Sequence, residues 1–155
     1  MKPAKRILIL GIGNCLLKDD GVGIHAVRQL QKLKLPAGVD VYDGGLGGMS
    51  LYDKLISYKK VIIVDATGLK KRPGTIARLG IKDINLVGSP NKLTLHQANV
   101  AEPLALAVSM NQCPEVVIYG IQPKDMDWGE FLSRPAKIAV SGVIKRIIRE
   151  LQNKD

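Results

Sequence analysis

Three short apolar runs constrain this chain more than any other feature. Residues 6–11 (Arg-Ile-Leu-Ile-Leu-Gly), 60–66 (Lys-Val-Ile-Ile-Val-Asp-Ala) and 115–120 (Glu-Val-Val-Ile-Tyr-Gly) are apolar without alternation and too short for independent helices. Continuous runs of this kind, rich in Val and Ile, are expected of strands covered on both faces, as in a parallel sheet. A fourth strand is read at 39–43. A fifth, at 74–79, alternates in polarity and follows a Pro-Gly turn, which suits a sheet edge open to an antiparallel orientation.

Helical periodicity fills the intervals. Residues 21–35 place Val22, Ala26, Val27, Leu30 and Leu33 on one stripe, and 49–56 read as a shorter helix. Residues 97–110 carry Val100, Leu104, Ala107 and Val108 at helical spacing. The last helix, at about 135–151, is expected to turn Ile138, Val140, Val143, Ile144, Ile147, Ile148 and Leu151 inward, with Lys137, Lys145, Arg146, Arg149 and Glu150 outward. This alternation predicts an α/β three-layer sandwich: a mostly parallel central sheet of about five strands flanked by helices. With no repeat or linker in its 155 residues, the chain is read as a single domain, 1–155.

Composition excludes several classes. A hydrophobic content of 46% rules out a disordered or collagen-like chain. The longest apolar stretch, 7–17, is interrupted by Gly11, Gly13 and Asn14 and falls short of the roughly 18 residues of a membrane helix. The basic start leads into Lys18-Asp19-Asp20 with no small-residue cleavage site, so a cytoplasmic location and no membrane partner are expected. Two cysteines, Cys15 and Cys113, make no disulfide framework. The net charge of +9 suits an acidic partner. However, the aromatics (one Trp, four Tyr, one Phe) are not interleaved with basic residues, which argues against nucleic acid. The basic last helix reads instead as a docking surface for a larger protein, and the charged outer faces suit a monomer.

In open α/β sheets ligands bind beyond the carboxyl ends of the strands. Asp20, Asp43 and Asp65 all fall there. Gly11-Ile12-Gly13 after the first strand hints at a dinucleotide loop, but Leu16 stands where the third glycine belongs and two acids follow. Asp19 is read as a cap for the next helix. Asp65 follows four apolar β-branched residues, so its carboxyl is either a satisfied loop residue or a desolvated metal ligand or general acid/base. His96 precedes a helix after a long loop, whereas His25, near Arg28, Gln29 and Lys32, reads as surface.

One histidine with two carboxylates makes an N,O,O set suited to zinc or nickel with open coordination positions. Cys15 is read as a small, buried, apolar-like residue. Asp43, Gly44 and Gly45 either leave room for a bound substrate backbone or form a tight strand-to-helix turn.

Five blocks, in order, then resemble the hydrogenase maturation endopeptidases. They are Gly11-Ile12-Gly13-Asn14-x-Leu16-x-x-Asp19-Asp20-Gly21-Val22-Gly23; Asp43-Gly44-Gly45-x-Gly47-Gly48-Met49; Val64-Asp65-Ala66; Leu95-His96-Gln97; and Tyr119-Gly120-Ile121-Gln122-Pro123 with Trp128-Gly129 and Leu132-Ser133. The resemblance implies a peptidase, classed as aspartic-type or nickel-dependent, that removes a C-terminal extension from the precursor of a [NiFe] hydrogenase large subunit. It implies Asp20, Asp65 and His96 as metal contacts; Asp20 and Asp65 are read as the catalytic residues, one acting as base on a water, or else as groups that only recognise nickel while water is activated otherwise. The nickel is carried by the substrate, with zinc or cadmium able to replace it in crystals, and nickel-insertion accessory proteins are further partners. The alternative is a non-catalytic chaperone or docking module that recognises a metalloprotein.

Overall fold

The apolar runs form the middle of one sheet. The computed structural model describes residues 6–86 and 100–153. Among these, β1 (Ile7–Gly11), β2 (Val39–Asp43), β3 (Lys60–Ala66), β4 (Ile76–Gly80) and β5 (Glu115–Ile121) form a five-stranded sheet in the order β2-β1-β3-β5-β4. Three neighbouring pairs run parallel, and β4 runs antiparallel on β5 at the edge. The expected sandwich with one antiparallel edge strand is therefore what forms. Edge placement explains why the 74–79 segment alternates while β1, β3 and β5 do not.

Successive side chains of a strand point to opposite faces, so each central strand feeds two cores. Ile9, Ile62, Val64, Val117 and Tyr119 meet α1 (Val22–Leu30) and α4 (Arg134–Gln152) on one face. Leu8, Leu10, Val61, Ile63 and Ile118 meet α2 (Tyr52–Ile56) and α3 (Ala101–Ser109) on the other.

Several expectations need correction. Helix α1 stops at Leu30, and Leu33, in the following turn, is exposed. Ile138 is 64% exposed. At about 100° per residue it lies opposite the stripe of Ala136, Ala139, Val140, Val143 and Ile147, so the periodicity itself turns it outward. Val108 is exposed because it sits on the flank of the stripe in the last turn of α3. Glu150 is not part of the solvated face. Its carboxylate accepts from Arg78 Nε (2.9 Å) and Nη2 (3.2 Å), from Lys60 Nζ (2.8 Å) and from the Tyr119 hydroxyl. Together these cations hold the Glu150 carboxyl down at about 2 against the effect of burial. Among the described residues no helix is long and apolar enough to cross a membrane.

Candidate active site

The strand order defines a switch point. From β1 the chain crosses to β2 on one side, and β3 then returns to the other side of β1. The crevice beyond the carboxyl ends of β1 and β3 is where such sheets bind ligands. Asp20 enters it from a 3₁₀ turn (Lys18–Gly21) after β1, and Asp65 from the end of β3.

Glycines make this approach possible. A Cβ on Gly23 would lie 2.1 Å from Val64 O and 2.6 Å from Ile12 O. On Gly13 it would lie 2.1 Å from Asp20 O, and on Gly11, 2.4 Å from Gly23 O. These contacts are with backbone, which cannot swing aside. The glycine-rich block is thus a packing device that lets the start of α1 rest directly on the ends of β1 and β3. The Ile12 N–H completes the junction by donating to Val64 O at 3.1 Å.

Asp20 and Asp65 are both buried. Asp20 Oδ2 accepts from the Asn14 N–H at 3.0 Å, and the Asn14 side chain fixes the same loop by accepting from the Leu16 N–H at 2.9 Å. Asp65 pairs in register with Gly120, one residue past the point where β1 ends against Val64. Both of its carboxyl oxygens are buried with no hydrogen bond of normal geometry among the described residues. Burial holds this carboxyl well above the usual carboxylate range. The charge of Asp20 pushes in the same direction, and the Ala66 N–H acts weakly against both. The site therefore brings two buried acidic groups within electrostatic reach of each other.

The other expected residues divide. Asp43 ends β2 and folds back on its own loop, Oδ1 accepting from the Gly45 N–H at 2.9 Å, while Arg28 Nε lies 3.7 Å from Oδ2. The missing side chain of Gly44 faces the core, since a Cβ there would meet Ile12 Cδ1 at 2.8 Å and Leu10 Cδ1 at 2.9 Å. Gly45, at φ +55°, has open space around it, as does Gly48 at φ +97° in the same loop. Cys15 is half-buried, not fully enclosed; burial pushes its thiol up, as do Asp43 and Asp20, while Arg28 acts the other way. His25 is half-buried as well, and desolvation lowers its pKa. His96 lies outside the described residues. No group of three metal-ligating side chains occurs among those described.

Asp19 does not cap α1, whose N-cap is Gly21. It is fully buried and turns the opposite way, accepting from the N–H groups of Lys124 (2.8 Å), Asp125 (3.2 Å) and Ser133 (2.7 Å) and from Ser133 Oγ (2.6 Å). Ser133 in turn caps α4 through Ala136 N. The Ser-Arg-Pro sequence at 133–135 carried the signal for that cap. Nothing local pointed to its partner 114 residues away.

Comparison with known proteins agrees with this architecture. Residues 24–150 match the family model described as hydrogenase maturation protease. The chain is 34% identical over 154 residues to the hydrogenase expression/formation protein HupD of Rhizobium leguminosarum bv. viciae, covering 97% of this chain and 76% of that one. It is 29% identical over 150 residues to the hydrogenase 2 maturation protease of Escherichia coli, covering 95% and 91%. Among solved structures, the E. coli hydrogenase maturating endopeptidase HybD superposes with a TM-score of 0.82 at 28% identity, over 95% of this chain and 92% of that one. With the fold, the glycine-packed crevice and the family model all in agreement, the chain belongs to the hydrogenase maturation protease family, a family of peptidases.

Proposed function

We propose that this protein is an endopeptidase that removes the C-terminal extension of a [NiFe] hydrogenase large-subunit precursor after nickel has been inserted. The observation that carries this reading is the Asp20–Asp65 pair, two buried acidic groups at the switch point of the sheet. A divalent cation arriving on the substrate favours the ionised form of Asp65. Recognition of nickel and activation of the carboxylate are then one event.

In hydrolysis, a water oxygen adds to the scissile carbonyl carbon while a carboxylate of the pair takes the water proton. The C–N bond breaks, and the leaving amine receives that proton. Gly45 offers the substrate backbone an approach without a side chain in the way. His96, placed in the metal-contacting set by family resemblance, is proposed as the third contact to the substrate's nickel.

The test is incubation of the protein with nickel-loaded and nickel-free precursor, with mass spectrometry of the precursor's C-terminus. A shortened product from the loaded form alone is expected. Equal processing of both forms would remove nickel recognition from the reading. An uncut precursor bound stoichiometrically would instead assign a chaperone role.

A further inference from the structure

Asp20 and Asp65 are flanked by exposed apolar side chains. Leu46 and Met49 follow β2, Leu16 follows β1, and Trp128 and Phe131 follow β5, the last two being 77% and 79% exposed. In sheet order these loops straddle the carboxylates, which come from β1 and β3. A body that rests on both flanks must cover the crevice between them.

The loop that carries the two aromatics is fixed in place. Asp19 takes hydrogen bonds from both of its ends, at Lys124, Asp125 and Ser133. Its middle is joined to the segment before Asp20, with Lys18 N–H donating to Gly129 O and Gly129 N–H to Leu16 O, each at 2.8 Å. Lys18 Nζ also meets Asp125 Oδ2 at 2.7 Å. Gly129, at φ +153°, leaves room for the Lys18 stem, which would lie 2.9 Å from a Cβ there. So many ties hold the loop backbone in one arrangement, and that arrangement leaves its largest apolar side chains in solvent. Exposed clusters of this kind mark protein-binding sites, and Trp and Tyr-like aromatics dominate the energetic centres of interfaces.

A cavity of about 320 Å³ opens beside Phe131, walled by His25, Gln29, Val140, Glu130 and Lys137. It is large enough to receive a side chain of a partner. The exposed cations Arg134 and Lys137 begin α4 next to it. Two aromatic side chains offer roughly 150–250 Å² each, about half of the roughly 800 Å² that one partner contributes to an ordinary interface. They are the centre of a contact, and the adjoining charged and apolar loops complete it.

We infer that Trp128, Phe131 and Leu16, with the cavity beside Phe131, form the docking face for the folded body of the precursor, an apolar surface with an acidic edge that meets Arg134 and Lys137. Asp19 is the positioning residue that holds this face beside Asp20. The inference rests on the peptidase reading for the identity of its partner, and it adds that the precursor is selected by its folded surface as well as by its nickel.

The test compares the wild-type protein with the double variant W128S/F131S, with K137E, and with M110S, an exposed apolar position at the far end of α3. Initial cleavage rates are measured against the concentration of nickel-loaded precursor, and equilibrium binding of the same precursor is measured by biolayer interferometry. At least a tenfold rise in KM and in Kd is expected for W128S/F131S, a smaller rise for K137E, and none for M110S. A double variant that folds by circular dichroism and keeps the wild-type KM and Kd overturns the docking face while leaving the peptidase reading intact. If the wild-type protein binds the precursor without cutting it, the peptidase reading fails and Kd alone decides the docking face. A double variant that changes only the protein's own oligomeric state, seen by light scattering, assigns the patch to a second copy and overturns the inference.

Discussion

Ser133 donates to the buried Asp19 twice, from its N–H at 2.7 Å and its hydroxyl at 2.6 Å, so one carboxylate joins the cap of α4 to the turn that presents Asp20. Hydrogen bonds to a charged acceptor are worth more than neutral ones, and stranding their donors costs more still. Asp19→Ala should therefore lower unfolding stability by about 3 kcal/mol, and Asp19→Asn by less, since the amide keeps one acceptor. Urea unfolding measures both. A loss below about 1 kcal/mol for the alanine variant would mean that the loop does not depend on Asp19.

The elevated Asp65 carboxyl makes a signed prediction about pH. The folded state holds this proton more tightly than the unfolded state, whose carboxyl ionises at about 3.9. Stability from this group is therefore intact below about pH 4 and declines as pH rises through the folded-state value, with a slope that approaches about 1.4 kcal/mol per pH unit. Asp65→Asn, a neutral isostere, removes the decline, so it should be more stable than the wild type at pH 7 and similar to it at pH 4, while losing precursor cleavage. The difference between the two unfolding curves from pH 4 to 8 isolates the effect. Asp20→Asn should shrink it, because the charge of Asp20 is one of its causes.

Two glycines separate packing from conformation. A Cβ at Gly23 would meet only backbone, 2.1 Å from Val64 O and 2.6 Å from Ile12 O, whereas Gly68 has nothing within 4 Å. Gly23→Ala should cost about 3 kcal/mol or more, comparable to severe overpacking of a core. Gly68→Ala should stay within about 0.5 kcal/mol of the wild type. Thermal unfolding of the two variants checks the contrast, and similar midpoints would contradict the packing role of the glycine block.

The sheet was legible because buried parallel strands must be apolar throughout, and β1, β3 and β5 are. Asp20 and Asp65 were legible as strand-end acids, and their meeting follows from the order of β1 and β3. What escaped reading was long-range. Asp19 looks like a helix cap locally, and only the return of the 124–133 loop gives it four donors. Glu150 looks like one more charge on a basic helix, and only the pairing of β4 with β5 brings Arg78 to it. Ile138 faces solvent for a different reason: on a helix the angular position, not the hydrophobicity of the side chain, decides exposure.

Glu150 gives a prediction opposite in sign to that for Asp65. Its side chain is only 10% exposed and meets Lys60 at 2.8 Å and Arg78 at 2.9 Å. These cations, with the Tyr119 hydroxyl, lower its carboxyl to about 2. The unfolded carboxyl ionises at about 4.3. The folded state therefore releases this proton more readily, so the stabilisation is complete above about pH 4.3 and is lost as pH falls through about 2. Glu150→Gln leaves two cations around a neutral amide and should cost about 3 kcal/mol at pH 7, the range for breaking one side of a buried pair. The same substitution should cost much less at pH 2, where the wild-type carboxyl is itself half protonated. Tyr119 provides a second readout. Its hydroxyl is pushed up to about 12 by burial and, next, by the hydrogen bond to Glu150, so Glu150→Gln should lower its ultraviolet-detected titration while burial keeps it above the free-tyrosine value. A cost that is the same at pH 7 and pH 2, with an unmoved tyrosine titration, would show that Glu150 acts by packing alone.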